Sequence, residues 1–243
     1  MQPPKTIVLI HGHGVDSSIW DELYPQLSAD YQVIKPDFST LTNHGTVEAY
    51  TEHVYSLLQS AQVEKAVFIG HSMGGYIALA FAERHPNAVS GLVLFHSTVF
   101  ADDDERKAKR QAAMEQIEQE GSASFIGETI PKMVAETTKA QHPNLVESLQ
   151  EIGSRIPPDA LVTGIRAIAA RPDRSHVVRD ATFPVLIIAG KNDAIIPFDK
   201  SKEMATILND KGTFEVLEGA GHLGMIEQPE RSLEILQAFL VQL

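Results

Sequence analysis

The stretch Gly70-His71-Ser72-Met73-Gly74 follows the pattern G-x-S-x-G, in which a serine lies between two glycines. The residues before it, AVFIG, are typical of a buried strand, and those after it, MGGYIALAFAERH, are typical of a helix. A serine on such a sharp strand-to-helix turn is held in a strained conformation that presents its hydroxyl above the sheet. We therefore predict that Ser72 is a nucleophile; the alternative is a tight turn with a structural role alone.

A serine hydroxyl attacks a carbonyl carbon efficiently only if a base accepts its proton. His222, in the glycine-rich stretch EGAGHL after a predicted strand, is the best placed of the ten histidines. The base needs a carboxylate that fixes its tautomer, and Asp193 follows another predicted strand, VLIIAG. Singly, Asp193 could be a turn residue and His222 a hydrogen-bonded loop residue. In the order serine, aspartate, histidine they predict a triad for acyl transfer.

Six short apolar runs indicate the elements that must position these residues, because runs without alternation are typical of parallel strands buried on both faces. They are Thr6–Ile10, Gln32–Lys35, Ala66–Gly70, Gly91–Phe95, Val185–Ala189 and Thr213–Leu217. The helical stretches between and after them are Ser17–Leu27, Val47–Gln59, Met73–His85, Phe198–Leu208 and Glu230–Leu243. The alternation predicts an α/β fold, with a doubly wound, mostly parallel sheet of about six strands and helices on both faces.

The alternation stops between residues 98 and 180, where only helical patterns occur. They cover Asp102 to about Glu120, Ser124–Val134, Asn144–Ile152 and Pro158–Ala169. An insertion at the carboxyl ends of the strands of an open α/β sheet covers the ligand site. We therefore predict a core formed by residues 1–97 and 181–243 and a helical cap formed by residues 98–180. Extra surface helices are the alternative.

Candidate pocket residues follow from this placement. Met133, Leu161 and Ile165 lie on apolar positions of the predicted cap and are candidates for its underside. His96 directly follows a predicted strand and is a candidate for the pocket wall, although loop packing would explain it equally well. These four residues are our candidates for contact with a substrate.

The composition limits the possible partners. Among 243 residues, 20 are basic and 32 acidic, which gives a formal charge of −12 and disfavours nucleic acid and anionic membranes as partners. The absence of cysteine excludes disulfides and thiolate catalysis. The N-terminus, MQPPKTIVLIHG, lacks the features of a signal peptide, so we expect a cytoplasmic protein. The sequence does not indicate an oligomeric state.

The stretch IVLIHGHGVD combines two histidines with two glycines at the end of the first predicted strand. A metal site is one interpretation, but no further histidine or cysteine nearby completes a ligand set. A phosphate loop is another, but the third glycine of G-x-G-x-x-G is replaced by Ser17. We therefore predict neither a metal nor a cofactor here.

Four segments, in this order, resemble the α/β-hydrolase superfamily of the serine esterase and lactonase type, over nearly the whole chain: HGHG, GHSMGG, GKNDAIIP and GAGHLGMIEQPE. The resemblance implies that the main-chain N–H groups of His13 and Met73 form an oxyanion hole. The side chain of His13 should then tolerate substitution better than that of His222. The segments FADDDERKAKRQAAMEQIEQEG and GIRAIAARPDRS resemble caps of esterases grouped with 3-oxoadipate enol-lactonases.

The resemblance implies a hydrolase that cleaves a carboxylic ester of a small molecule through an acyl-enzyme on Ser72. The main alternative is an enol-lactone hydrolase, followed by a cofactor-free perhydrolase, a C–C hydrolase and a non-catalytic ligand-binding module. Relatives that use an aspartate in place of Ser72, the haloalkane dehalogenases and soluble epoxide hydrolases, are disfavoured. Two departures are that Asp37-Phe38-Ser39-Thr40 lacks the family's R-G-x-G turn and that antiparallel edge strands are not predicted.

Overall fold

A computed structural model describes residues 5–243 and contains one sheet of six parallel strands in the order β2-β1-β3-β4-β5-β6. The strands are β1 Thr6–Ile10, β2 Gln32–Ile34, β3 Ala66–His71, β4 Val89–Phe95, β5 Val185–Gly190 and β6 Gly212–Leu217. The predicted fold class is confirmed, and each predicted strand begins and ends within about two residues of the observed one. Because all strands are parallel, the loops after them meet at one edge of the sheet.

Twelve α-helices accompany the sheet in the described part of the chain. They are α1 Tyr24–Asp30, α2 Val47–Ser60, α3 Met73–Arg84, α4 Asp104–Glu120, α5 Ser122–Met133, α6 Glu136–Gln141, α7 Pro143–Ser154, α8 Pro158–Ala170, α9 Ser175–Arg179, α10 Phe198–Ala205, α11 Gly224–Glu227 and α12 Pro229–Leu240. Among residues 5–243, none of the helices has the length and apolar character needed to cross a membrane.

Both faces of the sheet are covered by helices, which explains the apolar runs of its strands. In β1, Ile7 and Leu9 point into a core shared with α1, α12 and the helices between β4 and β5. Val8 and Ile10 point into a second core shared with α2 and α3. All four side chains are fully buried. The sheet therefore forms a rigid middle layer whose strand ends can hold a site.

The predicted helix Ser17–Leu27 is wrong. The structure has a 3₁₀ helix at Ser17–Trp20, capped by the side chain of Asp16, and a separate α1 from Tyr24. Pro25 lies in the first turn of α1. Because proline has no N–H to donate, it fits a helix start and interrupts a helix interior. This proline is the physical reason for the break.

Helices α4 to α8, residues 104–170, lie between β4 and β5, and we call them the insertion. Helix α4 begins where the acidic triplet predicts, with Asp103 as N-cap, and ends before Gly121. Apolar side chains of the insertion, including Ile117, Ile126 and Leu149, join the core on the α1 and α12 side of the sheet. The short helices α6, α9 and α11 were not predicted from the sequence.

Candidate active site

Ser72 lies on the turn between β3 and α3, with φ 51° and ψ −114°. Positive φ is rare for a residue with a side chain, so the turn stores strain at this position. The N–H of Ser72 donates to the carbonyl of Phe95 at the end of β4. A Cβ atom on Gly74 would lie 2.3 Å from the carbonyl oxygen of Ile10, so only glycine allows α3 to start so close to β1. The side chain of Ser72 remains partly exposed above the strand ends.

His222 and Asp193 form a buried pair next to this turn. The distance from His222 Nδ1 to Asp193 Oδ2 is 2.7 Å, and both side chains are almost inaccessible. The other carboxylate oxygen of Asp193 accepts the N–H groups of Ile195 and Ile196. Because Nδ1 faces the carboxylate, it carries the proton, and Nε2 is the nitrogen that can accept one. Nε2 is buried and has no hydrogen-bond partner among residues 5–243.

The charge state of Asp193 follows from its neighbours. Burial alone would raise the pKa of this carboxyl, but the contacts with His222 and His96 outweigh burial and hold the pKa well below its usual range. Asp193 is therefore ionised near neutral pH. An ionised carboxylate at this distance stabilises positive charge on the imidazole of His222, which is what a base needs while it holds a proton.

His71 links the two parts of the candidate site. Its Nε2–H donates to the carbonyl oxygen of His222 at 2.8 Å, and the two rings are 4.8 Å apart. Burial, followed by the nearby His222 and His96, lowers the pKa of His71 well below its usual value, so the ring is neutral. Because His71 directly precedes Ser72, this bond holds the turn of Ser72 beside the loop of His222.

The loop after β1 runs along the turn of Ser72. A Cβ atom on Gly12 would lie 2.6 Å from Nδ1 of the buried ring of His71 and 3.1 Å from the Cβ of Ser72, so the close approach of this loop requires glycine. Met73 is the first residue of α3, and its N–H has no partner within the helix. In the described chain, the N–H groups of His13 and Met73 donate to no other protein group. Both are free to donate to a substrate oxygen.

The side chain of His13 has a partner that the sequence did not indicate. Its Nε2–H donates to the carbonyl oxygen of Leu161 in α8 at 2.9 Å, and its ring meets Phe125 of α5 edge-on. Burial lowers the pKa of His13 to about 4, so the ring is neutral at pH 7. The imidazole therefore connects the loop after β1 to the insertion.

The four predicted pocket residues lie in different places. His96, with φ 47°, lies behind Asp193 and has no exposed side-chain surface, so it is not on an open pocket wall. The carbonyls of Met133 and Leu161 accept hydrogen bonds from the N–H of His222 and the ring of His13, respectively. Ile165 lines a cleft of about 380 Å³ between the insertion and the loop after Asp193. The substrate-contacting roles of Met133, Leu161 and Ile165 stay predictions.

Glu227 was not singled out from the sequence, although it lies in the quoted segment GAGHLGMIEQPE. One oxygen of its carboxylate accepts the N–H groups of Gly221 and Leu223, which flank His222. The other accepts the N–H of Ala135 and the hydroxyl of Thr138 in the insertion. One carboxylate thus accepts four hydrogen bonds and joins the His222 loop to the insertion.

The two histidines of the stretch HGHG do not share a metal site. His11 accepts the N–H of Phe38 at Nε2 and faces the carbonyl of Gly12 with Nδ1. Within residues 5–243, the side chains spaced to hold a metal are His96, Asp193 and His222. Backbone N–H groups already point at both ring nitrogens of His96. This trio fits a hydrogen-bonded network better than a ligand set.

The loop after β2, which lacks the R-G-x-G turn, is held in place by two hydrogen bonds to other parts of the chain. The N–H of Phe38 donates to His11, and the hydroxyl of Thr163 in α8 donates to the carbonyl of Thr42. The loop is therefore attached both to the loop after β1 and to the insertion.

Comparison with known proteins agrees with this geometry. Residues 7–235 match the alpha/beta hydrolase family. The chain belongs to this family. A thermophilic esterase from Thermogutta terrifontis is 29% identical to this hydrolase, with a TM-score of 0.93 over 99% of this chain and 90% of the esterase. The pimeloyl-[acyl-carrier protein] methyl ester esterase of Yersinia enterocolitica is 26% identical over 97% of this chain and 93% of its own length.

An enol-lactonase from Burkholderia xenovorans LB400 is 21% identical, with a TM-score of 0.88 over 98% of this chain and 92% of that protein, and it shares the fold. The resemblance to hydrolases of the esterase and lactonase type is thereby confirmed, and so is the fold class. The bond that this hydrolase cleaves, and the residues that cleave it, are the subject of the following proposal.

Proposed function

We propose that this hydrolase cleaves a carboxylic ester of a small molecule through an acyl-enzyme on Ser72, with His222 as base and Asp193 as its partner. One observation carries the proposal. Asp193 holds the ring of His222 at 2.7 Å through Nδ1, and Nε2 is buried without a partner among residues 5–243. The loop of His222 is joined to the turn of Ser72 by the hydrogen bond from His71, the residue before Ser72, to the carbonyl oxygen of His222. A buried polar atom without a partner is costly, and proton transfer is a function that would retain it.

The chemistry follows from these positions. The oxygen of Ser72 attacks the carbonyl carbon of the ester, and its proton passes to Nε2 of His222. The carbonyl electrons move to the oxygen, where the N–H groups of His13 and Met73 stabilise the negative charge. The bond to the alcohol breaks as His222 returns the proton to the leaving oxygen. Water then attacks the acyl group while His222 accepts its proton. The bond to Ser72 breaks as His222 returns this proton to the serine oxygen, and the carboxylic acid leaves.

Asp193 stays ionised during these steps. Its low pKa supports this role, because a carboxyl group that became protonated near neutral pH would no longer stabilise the positive charge on the imidazole of His222. The N–H groups of Ile195 and Ile196 fix its other oxygen and prevent rotation of the carboxylate. The proton on His222 Nδ1 therefore keeps one partner throughout the cycle.

We further propose that the helical region of residues 98–180 is a cap that closes the site from solvent. His13 and Glu227 support this role, because each joins a loop at the strand ends to the insertion. The esterase relatives at 29% and 26% identity support ester hydrolysis as the reaction class. A lactone is an internal ester, so the same residues would open it by the same steps.

The proposal is tested with 4-nitrophenyl esters of short acyl chains. Wild type should hydrolyse them, and Ser72→Ala should lose about 10⁵-fold or more in kcat, as much as loss of the base, while it stays folded. Ser56→Ala, a change on the exposed surface of α2, serves as the matched control and should retain wild-type activity. Unchanged activity in Ser72→Ala would contradict an acyl-enzyme on this serine. Binding of an ester by wild type without any turnover would favour the non-catalytic alternative.

A further inference from the structure

The cleft that contains Ile165 has a distinctive lining. Its apolar wall is formed by side chains such as Phe125 of α5, Ile165 of α8 and Ala194 of the loop after Asp193. Helix α4 contributes Arg106, Lys109 and Arg110, spaced three and four residues apart and hence on one face of the helix. None of the residues that line this cleft is acidic.

The positive charge of the cleft is only partly neutralised. Arg110 contacts Asp102, but the same carboxylate also binds the buried Arg171, so one negative charge serves two guanidinium groups. Lys109 pairs with Glu105 on the exposed surface. Arg106 forms no ion pair with any of residues 5–243, and its side chain is partly buried. The chain as a whole has a formal charge of −12, so a surface that carries three basic side chains and no acidic one differs in sign from the rest of the protein.

The cleft lies next to the candidate active site. Ala194 directly follows Asp193, and Phe125 packs edge-on against the ring of His13. Besides burial, the positive charge of Arg110 helps to lower the pKa of His13, which shows that the guanidinium lies within electrostatic reach of the loop after β1. A ligand in this cleft would therefore extend toward the proposed oxyanion donors.

We propose that this cleft binds a carboxylate group of the substrate, so that the hydrolase prefers esters that carry one ionised carboxylate besides the ester group. The inference rests on the proposed function and adds the substrate class to it. The guanidinium groups of Arg106 and Arg110 can each donate two parallel hydrogen bonds to a carboxylate. The apolar wall suits the short hydrocarbon segment between the carboxylate and the scissile bond. The carboxylate can belong to the acyl part or to the alcohol part.

Two substrate pairs distinguish these sources. For the acyl part, 4-nitrophenyl hydrogen glutarate is compared with 4-nitrophenyl pentanoate. For the alcohol part, 4-acetoxybenzoate is compared with its methyl ester. Each pair differs in one negative charge at nearly constant size. Wild type should prefer the anionic member of at least one pair by about tenfold in kcat/KM, and the preference should shrink as salt is added.

Three variants in α4 locate the effect. Arg106→Gln and Arg110→Gln should each lose about five- to tenfold in kcat/KM on the preferred anionic ester, mainly through KM, and keep wild-type rates on its neutral partner. Lys107→Gln removes the same charge from the same helix, but Lys107 is exposed and does not line the cleft. It should behave as wild type. Equal losses on both members of a pair, or an equal effect of Lys107→Gln, would overturn the proposal.

The outcomes separate this inference from the proposed function. Hydrolysis that depends on Ser72 but shows no anionic preference in either pair contradicts the inference alone. A binding measurement decides the case in which no ester is cleaved. Glutarate, compared with the neutral glutaramide, should raise the Tm of wild type and raise it less in the double variant Arg106→Gln/Arg110→Gln. Equal stabilisation of both proteins, or of neither, would also overturn the inference.

Discussion

The loop after β1 and the loop after β6 each carry a histidine beside the turn of Ser72, and the two rings are used differently. The ring of His13 donates to a carbonyl of α8, whereas the ring of His222 pairs with Asp193. The loop of His222 is attached to the insertion by its backbone and by Glu227, without its imidazole. Within residues 5–243, the ring of His222 thus makes no hydrogen bond that ties it to the insertion, as the proposed proton transfer requires, while the ring of His13 attaches its loop to α8.

This difference predicts the largest effect at His222. His222→Ala should lower kcat by about 10⁵-fold or more, because in the proposed mechanism Nε2 of His222 accepts the proton of Ser72. Its Tm should stay close to that of wild type, since the backbone bonds of the loop remain. Steady-state kinetics and thermal unfolding of the same preparation test both statements. A variant that keeps a tenth of the wild-type kcat would assign the base elsewhere.

The second largest effect is expected at Asp193. Asp193→Asn keeps the shape but reverses the tautomer preference of His222, so kcat should fall by about 10⁴-fold with little change in KM. The N–H groups of Ile195 and Ile196 still find an amide oxygen in this variant, so the loop should remain ordered. The amide signals of these two residues in an NMR spectrum check that the loss is chemical. A large rise in KM alone would contradict the assignment.

Glu227 tests whether attachment to the insertion matters for His222. Glu227→Gln replaces one accepting oxygen by a donating NH₂ group that faces two N–H or O–H donors, so we expect a loss of about 10- to 100-fold in kcat. Glu230→Gln, a nearby change at an exposed position, is the matched control. If Glu227 positions the histidine, kcat should fall more than KM rises. Loss of Tm with unchanged kcat would instead indicate a purely structural role.

The smallest effect is expected at His13. His13→Ala removes the bond to Leu161 and should cost about 1–2 kcal/mol of stability and about tenfold in kcat/KM. His13→Gln, which can still donate to the carbonyl, should lose less. A loss in His13→Ala as large as that in His222→Ala would contradict the difference between the two rings.

The pH dependence of stability gives a second test of the structural role of the His13 ring. Burial lowers the pKa of His13 from 6.5 to about 4, so the unfolded chain binds a proton there at a higher pH than the folded chain. The stability due to the neutral ring is fully present above pH 6.5 and is lost as the pH falls toward 4. The free energy of unfolding of His13→Gln should therefore fall less steeply than that of wild type across this window. Parallel curves would contradict burial of a neutral ring.

The sequence allowed prediction of the features that depend on local patterns. Apolar runs identified all six strands, and a glycine-rich strand-to-helix turn singled out Ser72, which the structure holds at positive φ. Asp193 and His222, named for their positions after strands, are brought within hydrogen-bonding distance. Their catalytic roles, like that of Ser72, stay predictions.

The features that the sequence did not indicate depend on distant contacts. The bond between His13 and Leu161 spans 148 positions, and that between Ala135 and Glu227 spans 92. No local pattern encodes such contacts, because they arise only when the insertion packs on the strand ends. The position of His96 behind Asp193 depends instead on the pairing of β4 with β5, which brings His96 to the N–H of Gly190, 94 positions further along the chain. The break of the helix at Pro25 is different, since the proline was visible in the sequence.

Covalent labelling by an aryl phosphonate ester tests the central claim most directly, because the reagent requires an activated serine but no knowledge of the substrate. We predict one adduct per chain on the peptide that contains Ser72, no adduct in Ser72→Ala, and a rate of labelling that falls far more in His222→Ala than in His13→Ala. Intact-mass and peptide mass spectrometry measure all three results. Absence of the adduct in folded wild type, or the same adduct in Ser72→Ala, would contradict the account.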